Sequence, residues 1–231
     1  MTKKLYWEQP YAQEFKASVL HIEGQEAELD QTLFYPTGGG VACDTGTINR
    51  AKVIGTSKDG DMILHTLESA PTFAVGDLID GRIDWERRYR LMRMHTAGHL
   101  LSAIFYSKAN CRITGNQIDV DKSRMDFNLD VFDRSLIEGF VAEANRLVSN
   151  DAAVKTYFLN REEALKQPDL VKLAEASPPS EAQLRIVEIE GIDRQADGGQ
   201  HVSRLKEIRQ IRLLKLENKG KNNRRLYYEL V

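Results

Sequence analysis

The sequence predicts an α+β chain in two parts. A small β-barrel-like domain is expected over residues 1–86, and over 87–231 a domain whose helices pack on a largely antiparallel sheet. Three observations carry this prediction. The first ninety residues fall into short runs of polar/apolar alternation, punctuated by glycine and aspartate. At Asp84-Trp85-Glu86-Arg87-Arg88-Tyr89-Arg90 the periodicity becomes helical. Beyond that point helical and strand-like segments interleave, which favours helices on one face of a sheet. A length of 231 residues is ordinary for two small domains, since domains commonly hold roughly 100–150 residues.

In chain order, Ala17 to Ile22 and Glu26 to Phe34 are alternating runs separated by Glu23-Gly24-Gln25. Gly46 to Gly55 is a third run, rich in the β-branched residues Thr47, Ile48, Val53 and Ile54. Ser57-Lys58-Asp59-Gly60-Asp61 holds an Asp-Gly turn signal ahead of a strand from Met62 to Leu67. Further short runs surround Val75-Gly76-Asp77 and fill Leu78 to Ile83. From Trp85 to Tyr106, Leu91, Met94, Leu101 and Phe105 recur at helical intervals. Thr114-Gly115-Asn116-Gln117 reads as a turn before a strand from Ser123 to Leu129. Asp133 is placed to cap a helix whose apolar stripe is Leu136, Ile137, Phe140, Val141, Ala144, Leu147 and Val148. Ala153 to Leu159 is strand-like, and Asn160 can cap a short helix through Leu165. Ser177-Pro178-Pro179-Ser180 reads as a loop. Leu184 to Ile189, Ile208 to Leu216 and Arg225 to Leu230 read as strands.

Hydrophobic residues make up 42% of the chain and charged residues 29%, which supports a buried core and excludes a disordered chain. A net charge of −2 excludes a polycation, so any nucleic-acid site has to be a local patch. Cys43 and Cys111 form no CxxC motif and read as reduced thiols of a cytoplasmic protein. The N-terminus has no apolar leader-like run, and no stretch approaches the roughly 18 apolar residues of a membrane span. The expectation is a soluble, cytoplasmic protein with no membrane or DNA partner.

The chemistry centres on Met94-His95-Thr96-Ala97-Gly98-His99-Leu100-Leu101. Histidines four apart on a helix project from one face, at a spacing that lets two imidazoles hold one metal ion, zinc being the natural candidate. A third histidine stands in Asp197-Gly198-Gly199-Gln200-His201-Val202, where the glycines allow a tight turn. Imidazole is a good zinc ligand, and the Asp197 carboxylate is an acceptable fourth. The helix has no HExxH, so the glutamate base of that protease class is missing. A closed shell would make the metal structural and an open position catalytic, and both readings stand at this point. His21 and His65 lie in strand-like runs and read as structural or surface residues.

Together these motifs resemble the editing domain of alanyl-tRNA synthetase and, still more, its free-standing relatives, the AlaX alanyl-tRNA editing proteins. The resemblance extends to Thr32-Leu-Phe-Tyr-Pro-Thr-Gly-Gly-Gly40 with Asp44-Thr-Gly46, to Ile113-Thr-Gly-Asn-Gln-Ile118, to Arg124-Met-Asp-Phe127 and to Lys219-Gly-Lys-Asn-Asn-Arg-Arg225, so it covers nearly the whole chain. It implies a zinc-dependent aminoacyl-tRNA deacylase that removes serine, and glycine, from mischarged tRNA(Ala). The second domain, 87–231, would then be the zinc-binding editing domain, with one Zn(2+) per chain. By the same resemblance His95, His99 and His201 match the metal ligands. Asp197 stands where many members have cysteine, either as an oxygen ligand or beside an open position. Thr114 falls where the family places a hydroxyl that recognises the serine side chain. Val41, Gln200, Leu205 and Arg209 depart from the family pattern and bear on fine specificity.

An editing site of this kind has a physical rationale. A synthetase pocket separates serine from alanine poorly, by roughly a hundredfold in comparable cases. A second site that hydrogen-bonds the hydroxyl improves on this, because alanine would leave its polar partner unpaired at roughly 1–3 kcal/mol. For Gly38, Gly39 and Gly40 two readings stand: a tight turn, or N–H groups that face the substrate or RNA backbone. The basic residues Arg82, Arg87, Arg88, Arg90 and Arg93, and Lys215, Lys219, Lys221, Arg224 and Arg225, are solvated faces or phosphate contacts. The alternatives to the deacylase are an RNA-binding module with a purely structural zinc, and a zinc hydrolase of another aminoacyl-tRNA or a small ester.

Overall fold

A computed structural model of the chain describes residues 1–167, 170 and 182–231. The chain divides into two compact units, Met1–Leu91 and Met92–Val231. Among the described residues, no helix is long and apolar enough to cross a membrane.

The first unit opens with β1 (Lys3–Lys4) and one helical turn, α1 (Leu5–Glu8). The strands β2 (Glu14–Glu23) and β3 (Glu26–Leu29) follow, and β4 (Gln31–Thr32) pairs in parallel with β1. Then come β5 (Gly46–Ile48), β6 (Ala51–Asp59), β7 (Met62–Leu67) and β8 (Leu78–Ile83). Six of these close into an antiparallel barrel in the order β2-β3-β7-β6-β5-β8. Alternate residues point inward, so Phe15, Val19, Leu29, Ile48, Val53, Leu67, Ile79 and Ile83 join one buried cluster.

Three expectations about this unit are corrected. The run from Glu26 to Phe34 breaks at Asp30, whose Oδ1 accepts the Ser18 N–H at 2.8 Å. The run from Gly46 to Gly55 breaks at Asn49, which sits at φ 54° and exchanges hydrogen bonds with the backbone of Asp80. Asparagine tolerates that left-handed conformation better than most residues. Val75-Gly76-Asp77 is a turn, closed by the Ala74 N–H on Asp77 Oδ2 at 2.8 Å. Arg88 is also no phosphate contact. It is 1% exposed, holds both Asp44 carboxylate oxygens and donates to the carbonyls of Leu33 and Pro10. Asp44 in turn accepts the Tyr35 N–H at 2.6 Å and donates its own N–H to the Tyr35 carbonyl at 3.0 Å. The segment carrying Gly38, Gly39 and Gly40 is thereby pinned at its base.

The helix α2 (Trp85–Ala109) begins in the first unit and continues into the second, and every residue from Leu91 to Phe105 is buried. It is followed by β9 (Ile113–Gln117), β10 (Ser123–Phe127), α3 (Arg134–Ser149), β11 (Val154–Asn160) and α4 (Arg161–Leu165). The rest comprises β12 (Gln183–Ile189), β13 (Asp193–Ala196), a 3-10 turn at Leu205–Ile208, β14 (Ile211–Asn218) and β15 (Arg224–Leu230). These strands form two antiparallel sheets, β14-β15-β10-β9 and β11-β12-β13.

Asp133 caps α3 as expected, accepting the N–H groups of Ser135 and Leu136. The stripe Ile137, Phe140, Val141, Ala144 and Val148 is buried, while Leu136 remains 38% exposed at its edge. Helix α4 lies where expected, but the Asn160 side chain makes no capping bond. Thr114-Gly115-Asn116-Gln117 is strand, not turn: Gln117, Asn116 and Gly115 pair with Arg124, Met125 and Asp126. The strand β13 was not anticipated. The loop expected at Ser177-Pro178-Pro179-Ser180 lies outside the described residues. The four-stranded sheet seats α2 through Tyr228, whose hydroxyl donates to the Met94 carbonyl at 2.8 Å, and through Phe105 stacked on Phe127 at 4.1 Å. Burying each such ring contributes roughly 1.5–3 kcal/mol, which holds the histidine-bearing helix in a single register.

Candidate metal centre

His95 and His99 lie one turn apart on α2 and are both buried. The third imidazole arrives on the segment that leaves β13. Arg185 of β12 holds that segment beside the strand through its main chain and its guanidinium. The Arg185 carbonyl accepts the Asp197 N–H at 3.0 Å, and its Nη1 donates to the carbonyls of Asp197 (3.0 Å) and Gly199 (2.8 Å). The Gly199 N–H closes the turn on Asp197 Oδ1 at 2.6 Å. Only glycine fits at position 199, since a Cβ there would stand 2.4 Å from His95 Cε1 and 2.6 Å from His95 Nδ1.

The result is a buried group of four donors, His95, His99, Asp197 and His201, whose ligand atoms all lie within 4.8 Å of one another. The imidazole Nε2 atoms face the carboxylate. His201 Nε2 is 3.2 Å from Asp197 Oδ1, and His95 Nε2 and His99 Nε2 are 3.7 and 3.8 Å from Asp197 Oδ2. A tetrahedral zinc with bonds of about 2.0–2.1 Å sets its ligand atoms roughly 3.3 Å apart, within the range spanned here. Three imidazoles and one carboxylate make a donor set that fits a divalent ion of zinc's class.

The protonation states suit this use. Burial lowers the pKa of His95 to about 4, against the upward pull of Asp197, while His99 adds to the lowering. Burial and then the neighbouring His95 and His99 hold His201 well below the usual imidazole range. Burial alone would raise the Asp197 carboxyl, but His95, His201 and His99 outweigh it and keep the carboxyl well below its ordinary value. His95 and His201 are therefore neutral, and Asp197 ionised, at neutral pH. Asp193 is buried beside it, accepting from Gln195 Nε2 at 2.7 Å and standing 3.9 Å from His99 Nδ1. Sequence reasoning passed over Arg185 and Asp193. Their signal was a cation and an acid at positions that pairing turns inward.

None of the other candidate residues belongs to this group of donors. Thr114 is exposed on β9, its hydroxyl 3.4 Å from Asn223 Oδ1. Gly39 and Gly40 form an exposed tip at φ 59° and 80°, bounded by reciprocal hydrogen bonds between Gly38 and Val41. Lys219 and Lys221 are exposed, with Lys219 Nζ 3.8 Å from Glu217. Arg224 is 5% exposed and donates to the carbonyls of Gly220, Lys221, Asn223 and Asp130 and to Asn218 Oδ1, so it organises the β14–β15 hairpin. Arg225 makes a two-pronged pair with Asp126 at 2.7 and 2.8 Å. Arg93 is 7% exposed and donates to the carbonyls of Glu207 and Ile208, which removes it from the phosphate-contact candidates.

Comparison with known proteins gives first the class. Residues 184–227 match the family described as the threonyl and alanyl tRNA synthetase second additional domain, and residues 4–87 match class II (A) tRNA synthetases. A 46% identity over 235 residues, 99% of this chain and 98% of the relative, links it to the alanyl-tRNA editing protein AlaX-M of Saccharolobus solfataricus. The AlaX-M of Methanosarcina mazei is 39% identical over 100% of this chain and 97% of its own. The alanine–tRNA ligase of Methanococcus maripaludis is 34% identical over 98% of this chain, which spans 26% of that enzyme. The chain belongs to the AlaX-M alanyl-tRNA editing protein family.

Proposed function

We propose that this chain is a zinc-dependent aminoacyl-tRNA deacylase that hydrolyses mischarged tRNA(Ala), chiefly seryl-tRNA(Ala) and also glycyl-tRNA(Ala). The observation that carries the reading is the convergence of His95, His99, His201 and Asp197 in a member of a family whose relatives are named for alanyl-tRNA editing. In this reading residues 87–231 act as the editing domain and the four residues hold one zinc ion. A bound zinc supplies Lewis acidity, which lowers the pKa of water or polarises an ester carbonyl.

The aminoacyl ester is already activated, so the protein has to orient it, admit one water and reject the correct amino acid. The exposed Thr114 hydroxyl is the proposed partner of the serine hydroxyl, which alanine lacks. Lys219 and Lys221, and the Gly38–Gly40 tip, are proposed contacts to the RNA backbone. Arg224 and Arg225 serve that contact indirectly by shaping the hairpin and the sheet from which the lysines project.

A panel of seryl-, glycyl- and alanyl-tRNA(Ala) tests this. Rapid release of serine and glycine with sparing of alanine, lost in His95→Ala, is expected; zinc-loaded protein that cleaves none of them refutes the reading. One observation favours a second reading. Asp197 supplies a fourth donor, which is enough to close a tetrahedral shell and make the metal purely structural. In that case chelation should unfold residues 92–231, and tRNA should bind without being cleaved.

A further inference from the structure

A histidine that offers Nε2 to a metal ion carries its proton on Nδ1, and the partner of that proton fixes ring and tautomer together. For His201 the partner is visible. Thr96, the residue after His95 on α2, is fully buried, and its Oγ1 lies 3.1 Å from His201 Nδ1. The same oxygen is 2.9 Å from the Met92 carbonyl one turn back and 3.2 Å from the Val202 N–H. A hydroxyl has one proton and two lone pairs. The Met92 carbonyl can only accept and the Val202 amide can only donate. When the Thr96 proton goes to Met92, the two lone pairs receive Val202 N–H and His201 Nδ1–H, and all four groups are satisfied.

We propose that Thr96 is a positioning residue that holds His201 in the Nδ1–H tautomer, leaving its Nε2 lone pair free for a metal ion. This role rests on the metal-centre reading above. The reversed arrangement, with the threonine proton on Nδ1, would put a proton on Nε2, 3.2 Å from Asp197 Oδ1, and block the ligand atom. The hydroxyl also ties the segment carrying His201 to the helix carrying the other two imidazoles. It thus fixes the third ligand in place as well as in tautomer.

The test uses the full chain with zinc alone, titrated against a chromophoric chelator, together with imidazole nitrogen NMR of the zinc-loaded protein. Thr96→Val should bind zinc about 10- to 100-fold more weakly, whereas Thr96→Ser, which keeps the hydroxyl, should stay within about threefold of the parent. His201 Nδ1 should carry a slowly exchanging proton in the parent and in Thr96→Ser. Parent-like zinc affinity in Thr96→Val, or a zinc-loaded parent with no proton on His201 Nδ1, overturns the assignment. If Thr96→Val does not fold, the NMR arm on the parent and Thr96→Ser decides. A parent that binds no zinc would instead defeat the metal-centre reading itself.

Discussion

Arg185 and Asp197 grip each other through their main chains and through one guanidinium: the Asp197 N–H donates to the Arg185 carbonyl at 3.0 Å, and Arg185 Nη1 donates back to the Asp197 carbonyl at 3.0 Å. The same Nη1 reaches the Gly199 carbonyl at 2.8 Å, so one buried cation sets the path of the segment that delivers both Asp197 and His201. Arg185→Met should leave those carbonyls unpaired, at a cost of about 3 kcal/mol by the usual scale of charged hydrogen bonds. It should also weaken zinc binding about 10- to 100-fold, as outer-shell losses commonly do. Urea unfolding and a zinc titration of the same preparation check both figures; parent-like zinc affinity would remove Arg185 from this role.

Gly199 packs flat against the His95 ring, and an added Cβ would also stand 3.0 Å from Asp197 Oδ1. Gly199→Ala is therefore expected to displace two of the four donors while leaving both sheets intact. Metal analysis should find far less than one zinc per chain, alongside an unchanged far-ultraviolet circular dichroism spectrum. Full zinc occupancy would mean that the segment relaxes without cost.

Within the first unit, Asp44 neutralises the buried Arg88 and anchors Tyr35. Removing one partner of a buried pair leaves an uncompensated charge, typically at about 3–5 kcal/mol. Asp44→Ala should lower the stability of the first unit by that order, read by chemical denaturation. Arg88→Met in the same background should recover part of the loss.

His65 is expected to make the barrel sensitive to acid. Its ring lies between Thr32 Oγ1 (2.8 Å) and the Ala27 carbonyl (3.0 Å), and burial lowers its pKa to about 4 despite the Ala27 hydrogen bond. The folded pKa is below the unfolded value of 6.5, so the unfolded chain binds more protons between them. The stabilisation is complete above about pH 6.5 and is lost as pH falls toward 4, with about 2 kcal/mol gone by pH 5. Denaturation midpoints at pH 8 and pH 5 should show this loss in the parent and a smaller one in His65→Gln. Equal losses in both would assign the acid sensitivity to other groups.

Much of this protein was legible in its residues. The change of periodicity at Asp84, the histidine pair at i, i+4, the Asp133 cap and the alternating strands of the barrel are local signals, fixed by backbone geometry within a few residues. The family resemblance rested on the same short motifs. What local pattern missed was set by pairing at a distance. No strand was expected at Asp193–Ala196, whose buried residues, Asp193 and Gln195, bond each other instead of joining an apolar core. Thr114–Gln117 read as a turn until β10 supplied its hydrogen bonds.

Basic residues that looked interchangeable in the sequence were divided by the fold. Arg88, Arg93 and Arg224 were turned inward onto carbonyls and carboxylates, while Lys219 and Lys221 stayed in solvent. The amino-acid sequence by itself determined which donors exist and the local elements that carry them. Tertiary structure is what brings His95 and His201, 106 positions apart, into one group, with Arg185 fixing the segment that carries His201 and Thr96 bonding its ring. Short-range periodicity specifies a face, but convergence of faces depends on long-range burial and hydrogen bonding that no local pattern encodes.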